Sequence, residues 1–256
     1  MTIKKTLLGA ASVAALAFAA SAAPAVAEDR EFGYSITIGG TSDYVFRGLS
    51  FTNENPAAQG SIDFSYGIIY AGAWASNIDN FNYEPWELDL YLGIKPTLGP
   101  VTFDFAVLGY LYPAAKVDLD YVELKAGASM ELVKSLTGGV TFFYSPSQSN
   151  FAETFTVEGS LAYALPQVGI FAPTLSGGVG YSSDEDGKCP FFCNGAAADP
   201  TDPLYVEDYV YWNAGLSLGV EKFTMDFRYW DTDVSSAESL GLADERFVFT
   251  AKVTLP

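Results

Sequence analysis

Histidine is absent from all 256 residues, and cysteine occurs only twice, at Cys189 and Cys193. Without histidine, Ser-His-Asp triads and histidine-ligated metal sites are excluded. A zinc site at the two cysteines would need two further ligands of a suitable type, and none is nearby. Paired carboxylates remain an open route to hydrolysis, but no pair stands out among the many acids. We therefore expect no enzymatic activity and no cofactor.

Basic residues are scarce, with 13 Lys and Arg against 31 Asp and Glu, for a formal net charge of −18. Phosphate binding requires the opposite balance, so nucleic acid is not an expected partner.

Uninterrupted apolar runs of the roughly 20 residues needed for a membrane-spanning helix are also missing. The one apolar run near the N terminus, residues 7–19, follows Lys4 and Lys5 and precedes the small-residue motif Ala-Val-Ala at 25–27. This pattern is typical of a secretory signal peptide. The sequence predicts a signal peptide at 1–27 and a single exported domain at 28–256.

What the chain does contain is apolar residues in alternation: 49% of its residues are hydrophobic and 15% aromatic. Around residue 90, Trp86, Leu88 and Leu90 alternate with Glu87 and Asp89, which is typical of a strand with two different faces. About twelve such segments follow one another. The first is predicted to run unbroken from about residue 34 to residue 47, with Tyr44 and Phe46 on its apolar face.

The connections between these segments alternate between long and short. Every second connection is mostly short, with tight reversals predicted at Gly67 and at Glu221 with Lys222, and the connections between these short ones are longer. Bacterial outer-membrane barrels have short turns at one rim and long loops at the other, and a secreted β-sandwich has no reason to sort its loops this way. The predicted fold is all-β, a transmembrane antiparallel β-barrel of about 12 strands. Along each strand, every second residue belongs to the apolar set, which we call the apolar parity, and these side chains should face lipid.

Three blocks near the N terminus carry a family resemblance: S-D-Y-V-F-R-G-L-S at 42–50, P-A-A-Q-G-S-I-D at 56–63 and Y-A-G-A-W-A-S-N-I-D at 70–79. Together they resemble the opening signature of the TorF family. A later match is A-D-E-R-F-V-F-T at 243–250. The resemblance implies an outer-membrane β-barrel of Gram-negative bacteria with porin-like activity and an undefined solute.

A barrel of this kind predicts a porin-like channel for passive transport of small solutes, and the acidic residues of its outer loops predict a mild preference for cations. Two alternatives remain: a filled barrel acting as adhesin, receptor or structural protein through its outer loops, and a soluble β-protein with its apolar parity inward. The expected partners are outer-membrane lipid, lipopolysaccharide, the barrel assembly machinery and small solutes; the oligomeric state stays open. Charged residues of the polar parity are the pore-lining candidates: Asp43, Arg47, Asp63, Glu87, Asp89, Lys95, Asp104, Glu123, Lys125, Glu158, Asp226, Arg228, Arg246 and Lys252.

Finer contacts can also be predicted from hairpin geometry. Arg47 should lie close to Asp63 on the neighbouring strand, either as a fixed charge pair in a pore or as an ion pair that sets strand register. Trp74 should cover Gly60 on the lipid face. Cys189 and Cys193, in an exported protein, should form a disulfide within one loop. Candidates for the aromatic girdles at the membrane interfaces are Tyr70, Trp74, Trp86, Tyr110, Tyr209, Trp230 and Phe247.

Overall fold

The structure, a computed structural model, describes residues 31–79, 85–113, 119–148, 151–184, 208–235, 239 and 241–256. The predicted signal peptide and the cysteine pair lie outside these residues and stay predictions. Among the described residues, no helix is long and apolar enough to cross a membrane.

Twelve long strands make up the described fold, together with three short ones. The long strands are β1 Phe32–Thr41, β4 Ala57–Tyr66, β5 Ile69–Asn77, β6 Trp86–Ile94, β8 Val101–Leu111, β9 Tyr121–Val133, β10 Leu136–Ser145, β11 Thr154–Ala164, β12 Ala172–Asp184, β13 Tyr209–Val220, β14 Phe223–Thr232 and β15 Arg246–Leu255. The short strands are β2 Val45–Phe46, β3 Leu49–Ser50 and β7 Thr97–Leu98.

The long strands close into one barrel. Each pairs antiparallel with the next long strand along the chain, and the first and last meet in a ladder from Ile36↔Leu255 to Thr41↔Thr250. Within the described residues, closure gives every long strand a partner on both sides, which is the arrangement a strand protein needs in hydrocarbon. The predicted twelve-stranded antiparallel barrel is confirmed.

Polarity is reversed relative to a soluble protein. On β6 the outward side chains Trp86 and Leu92 are 54% and 59% exposed, whereas the inward Glu87 and Asp89 are each 1% exposed. The apolar parity therefore lies on the outside of the barrel, as predicted. The alternative with an apolar interior and a polar exterior is excluded.

Turn positions also agree with the sequence. Tyr66 pairs with Ile69 around Gly67, whose φ of 58° lies in the left-handed region, and Val220 pairs with Phe223. These tight turns lie at one rim, and the longer connections, including residues 42–56, lie at the other, which we call the outer rim.

The tight turn at Gly67 corrects the prediction for Trp74. The turn has two central residues instead of one, so Gly60 pairs with Ala75 and Trp74 pairs with Ser61. Because a shift of one residue moves a side chain to the other face, Trp74 points inward and is buried. Among the seven girdle candidates, Trp86 and Phe247 are exposed on the outside, whereas the other five face the interior: Tyr70, Trp74, Tyr110, Tyr209 and Trp230.

The first strand is shorter than predicted. It ends at Thr41, and residues 42–56 leave the wall and fold into the barrel, where Tyr44 and Phe46 are buried. Alternation alone predicts a strand with two faces, but not whether the strand belongs to the wall. At this point Thr41 Oγ1 donates 2.8 Å to the Asp43 carbonyl, a local contact that accompanies the change of direction.

Candidate functional site

Residues 42–56 form a segment that we call the inner hairpin. Its strands β2 and β3 pair at Val45↔Ser50 and Phe46↔Leu49. The two residues between them, Arg47 and Gly48, have φ of 50° and 85°, the positive values that a type I′ hairpin turn requires at both central positions. The glycine at position 48, between the short runs Val45–Phe46 and Leu49–Ser50, was the available signal for this turn.

Asp43 holds the base of the inner hairpin together. Its Oδ1 accepts hydrogen bonds from Ser50 Oγ at 2.7 Å and Thr52 Oγ1 at 2.8 Å. Its Oδ2 accepts from Arg246 Nη1 on β15 at 3.0 Å. Asp43 therefore ties both arms of the hairpin to the wall.

Tyr44 connects the inner hairpin to β5 and β6. Its hydroxyl donates to Glu87 Oε1 at 2.9 Å, and its ring centroid lies 5.2 Å from that of Trp74. Burial, and after it the neighbouring Glu87 and Asp89 carboxylates, raises the pKa of the Tyr44 hydroxyl well above its ordinary value. Tyr44 therefore keeps its proton and acts as a donor.

Arg47 makes a buried ion pair between the tip of the inner hairpin and the barrel wall. Its Nη2 donates to both carboxylate oxygens of Glu123 on β9 at 2.9 Å, and its guanidinium lies 4.7 Å from the ring centroids of Phe46 and Phe143. Tyr110 also donates to Glu123, at 3.1 Å. The contact joins hairpin to wall, and its energy depends on both partners staying buried together.

The predicted contact of Arg47 with Asp63 is therefore wrong. Asp63 instead accepts hydrogen bonds from Ser61 at 2.9 Å and from the Tyr91 hydroxyl. The prediction assumed that Arg47 belonged to the wall strand beside β4. Once residues 42–56 fold inward, Arg47 reaches β9 across the interior.

Gly48, at the tip of the inner hairpin, contacts the wall on another side. A Cβ built on Gly48 would lie 2.5 Å from Thr232 Cγ2 on β14 and 2.9 Å from Tyr211 Cβ on β13. No side chain fits there without movement. The inner hairpin thus reaches from its base at β1 and β15 to β13 and β14, and it fills much of the barrel interior near the outer rim.

Two acids beside the inner hairpin, Glu87 and Asp89, have no cation within salt-bridge distance among the described residues. Both oxygens of Asp89, Oε2 of Glu87 and the Tyr121 hydroxyl are buried with no hydrogen-bond partner. No group of three or more acidic or cysteine side chains in the described part of the chain is arranged to hold a metal ion.

Further from the outer rim, the interior contains a recess between β9 and β14 with about 680 Å³ of empty space, part of it open to solvent. Small residues such as Gly139, Ser160 and Gly178 line it, together with Glu158 and Arg228. Because these inward side chains are short, they leave the space that the aromatic residues fill near the outer rim.

The opposite wall carries a second charge network. Asp104 accepts from Lys125 Nζ at 2.8 Å and from the Tyr70 hydroxyl at 2.6 Å, and Lys95 Nζ lies 3.7 Å from it. All fourteen charged residues selected from the sequence lie inside the barrel. That they line a conducting pore stays a prediction.

The profile of one protein family, described as "Bacterial protein of unknown function (Gcw_chp)", matches residues 25–255. The chain belongs to this family. Comparison with curated proteins found no match.

Solved structures similar to this Gcw_chp protein are outer-membrane barrels. A NanC porin structure shares 11% identity, with 88% of this chain and 100% of that chain covered and a TM-score of 0.53. A membrane protein from a study of in-meso crystallisation shares 11% identity, with 87% and 83% covered and a TM-score of 0.51. The outer membrane protein OprD from Pseudomonas aeruginosa shares 11%, with 87% and 64% covered and a TM-score of 0.44. At these identities the likeness shows the fold alone.

Proposed function

We propose that this protein is a porin-like channel of the bacterial outer membrane through which small solutes diffuse passively. The observation that carries the proposal is a recess, lined in part by polar and charged side chains, inside a closed barrel whose outer surface is apolar. The TorF-like blocks in the sequence support the same function. In that membrane, the partners are lipid, lipopolysaccharide, the assembly machinery and the solutes themselves.

The inner hairpin is the constriction of the proposed channel. It crosses the interior near the outer rim and is anchored on three sides through Asp43, Arg47 and Gly48. A solute entering from outside has to pass beside or displace it. Conductance is therefore small, as expected of a barrel between the eight-stranded size that side chains fill and the sixteen-stranded size that holds a water-filled channel.

Interior charge supports a mild preference for cations. Of the fourteen charged interior residues selected above, eight are acidic and six are basic. Glu87 and Asp89, near the outer rim, have no cation within salt-bridge distance among the described residues. In a narrow passage, the excess of acids over bases in this set attracts cations and repels anions.

A filled barrel that acts through its outer loops is the second candidate. The observation favouring it is the dense packing of the inner hairpin, in which Tyr44 and Leu49 are each 1% exposed and Thr52 is fully buried. A hairpin that never moves would leave no path through the outer end of the barrel.

Recordings from the purified, folded protein in planar bilayers test the proposal. Membrane fractionation first establishes that the protein is in the outer membrane. Discrete conductance steps support the channel, whereas a verified folded barrel that never conducts would favour the filled barrel.

A further inference from the structure

The recess between β9 and β14 is lined by one positive and one negative side chain. It contains one cation, Arg228, and one anion, Glu158, among hydroxyl, amide, glycine and apolar groups. What a solute meets there depends on whether these two charges are available to it.

Four of the five N–H donors of Arg228 are already engaged by the protein. Its Nε and Nη2 donate to the two oxygens of Asp226, each at 3.0 Å, its Nη1 donates to Asn213 Oδ1 at 2.6 Å, and Nη2 also donates to Ser176 Oγ at 2.9 Å. Asp226 cancels the charge at close range. A carboxylate or phosphate arriving in the recess would have to displace this network before it could pair with Arg228.

Glu158 is also engaged, but less completely. Its Oε1 accepts from the Tyr211 hydroxyl at 2.6 Å, and no described donor occupies Oε2. The remaining polar groups of the lining include the hydroxyls of Thr137, Thr141 and Ser160. Hydroxyls both donate and accept, and a carboxylate oxygen accepts, so this wall complements a solute that carries hydroxyl groups.

We infer that the recess selects uncharged, hydroxyl-rich solutes of sugar size over their carboxylated analogues. The inference rests on the proposed channel function and names the class of solute it passes. Small inorganic cations can cross under the influence of the carboxylates near the outer rim, whereas a larger solute touches the recess wall and is selected by hydrogen bonding. The internal neutralisation of Arg228 by Asp226 is the specificity-determining feature.

Uptake of labelled glucose and gluconate into proteoliposomes containing the full barrel tests this inference, with potassium flux measured in parallel. Wild-type protein should take up glucose several-fold faster than gluconate. Asp226→Asn leaves the Arg228 charge uncompensated and should raise gluconate uptake relative to glucose several-fold. Glu31→Gln makes the same change in net charge at an exposed position just before β1, away from the recess, and should leave the ratio unchanged.

Ser160→Val keeps the test decisive if Asp226→Asn does not fold, because it removes one hydroxyl from the recess wall and should slow glucose more than gluconate. Potassium flux with equal uptake of glucose and gluconate would overturn the inference about solute class but would still support the channel function. Absence of all three fluxes would overturn the channel itself.

Discussion

At the scale of single residues, the inward-facing parity could be read from the sequence, but the partners within the interior could not. Alternation places Glu87, Asp104 and Glu123 inside because neighbouring side chains on a strand point to opposite faces. It does not determine that Arg47 pairs with Glu123, since that contact depends on a loop folding across the barrel. Long-range contacts of this kind leave no local pattern.

The Arg47–Glu123 pair should be strongly coupled. Removing one partner leaves a buried charge, which typically costs about 3–5 kcal/mol. Arg47→Ala and Glu123→Gln should each lower the urea concentration at which the barrel unfolds in detergent, and the Arg47→Met, Glu123→Gln double variant should recover part of the loss.

A double-mutant cycle measures this coupling. It compares the wild-type protein, Arg47→Met, Glu123→Gln and the variant that carries both changes. Additive effects of the two single changes would show that the pair does not act as a unit.

Asp89 should behave in the opposite way. Both of its oxygens are buried beside the Glu87 carboxyl with no cation within salt-bridge distance among the described residues, so a negative charge there is unfavourable. Asp89→Asn should therefore raise the free energy of unfolding, by about 1 kcal/mol or more. Asp104→Asn is the matched control and should lower it, because Asp104 is paired with Lys125 at 2.8 Å. A loss of stability in both variants would contradict this account of Asp89.

At the scale of elements, the twelve strands and their tight turns were predictable, and the inner hairpin was not. The strands follow from alternation, and the Gly67 turn from a residue that tolerates positive φ. Tyr44 and Phe46 continue the apolar parity of β1, so the same alternation extended the first strand past Thr41. An aromatic side chain satisfies alternation equally well against lipid or inside a packed lumen.

Substitutions at two glycines distinguish the cost of backbone strain from the cost of a clash with the barrel wall. Gly48 and Gly67 both have positive φ, but only Gly48 would place a Cβ against other atoms, 2.5 Å from Thr232; nothing lies within 4 Å of the same atom on Gly67. Gly67→Ala should cost about 1–2 kcal/mol from the backbone alone. Gly48→Ala should cost clearly more in the same unfolding experiment. Equal losses would show that the hairpin tip does not rest on the wall as described.

At the scale of the whole molecule, the closed barrel, its apolar exterior and its charged interior could all be predicted from composition and loop lengths. The recess and the constriction could not, because they arise where short side chains on β10 to β13 lie beyond a hairpin packed near the outer rim. Strand count limits the lumen, but inward-folded loops determine how much of it is open.

Ion selectivity is a property of this whole charge distribution. We expect a mild cation preference in the reversal potential across a KCl gradient, and it should fade as salt rises, since the Debye length falls from about 30 Å at 0.01 M to about 3 Å at 1 M. Glu87→Gln combined with Asp89→Asn should reduce the preference more than Glu31→Gln does. Anion preference at low salt would contradict the proposed role of these carboxylates.

The central claim is that the inner hairpin limits permeation through the barrel, and single-channel conductance measures it most directly. The decisive variant replaces residues 45–50, which hold β2, the Arg47–Gly48 turn and β3, by two glycines. In a barrel verified as folded by its heat-dependent mobility on a gel, the account predicts conductance several-fold above that of the wild-type protein. Conductance equal to wild type, or none in either protein, would contradict it.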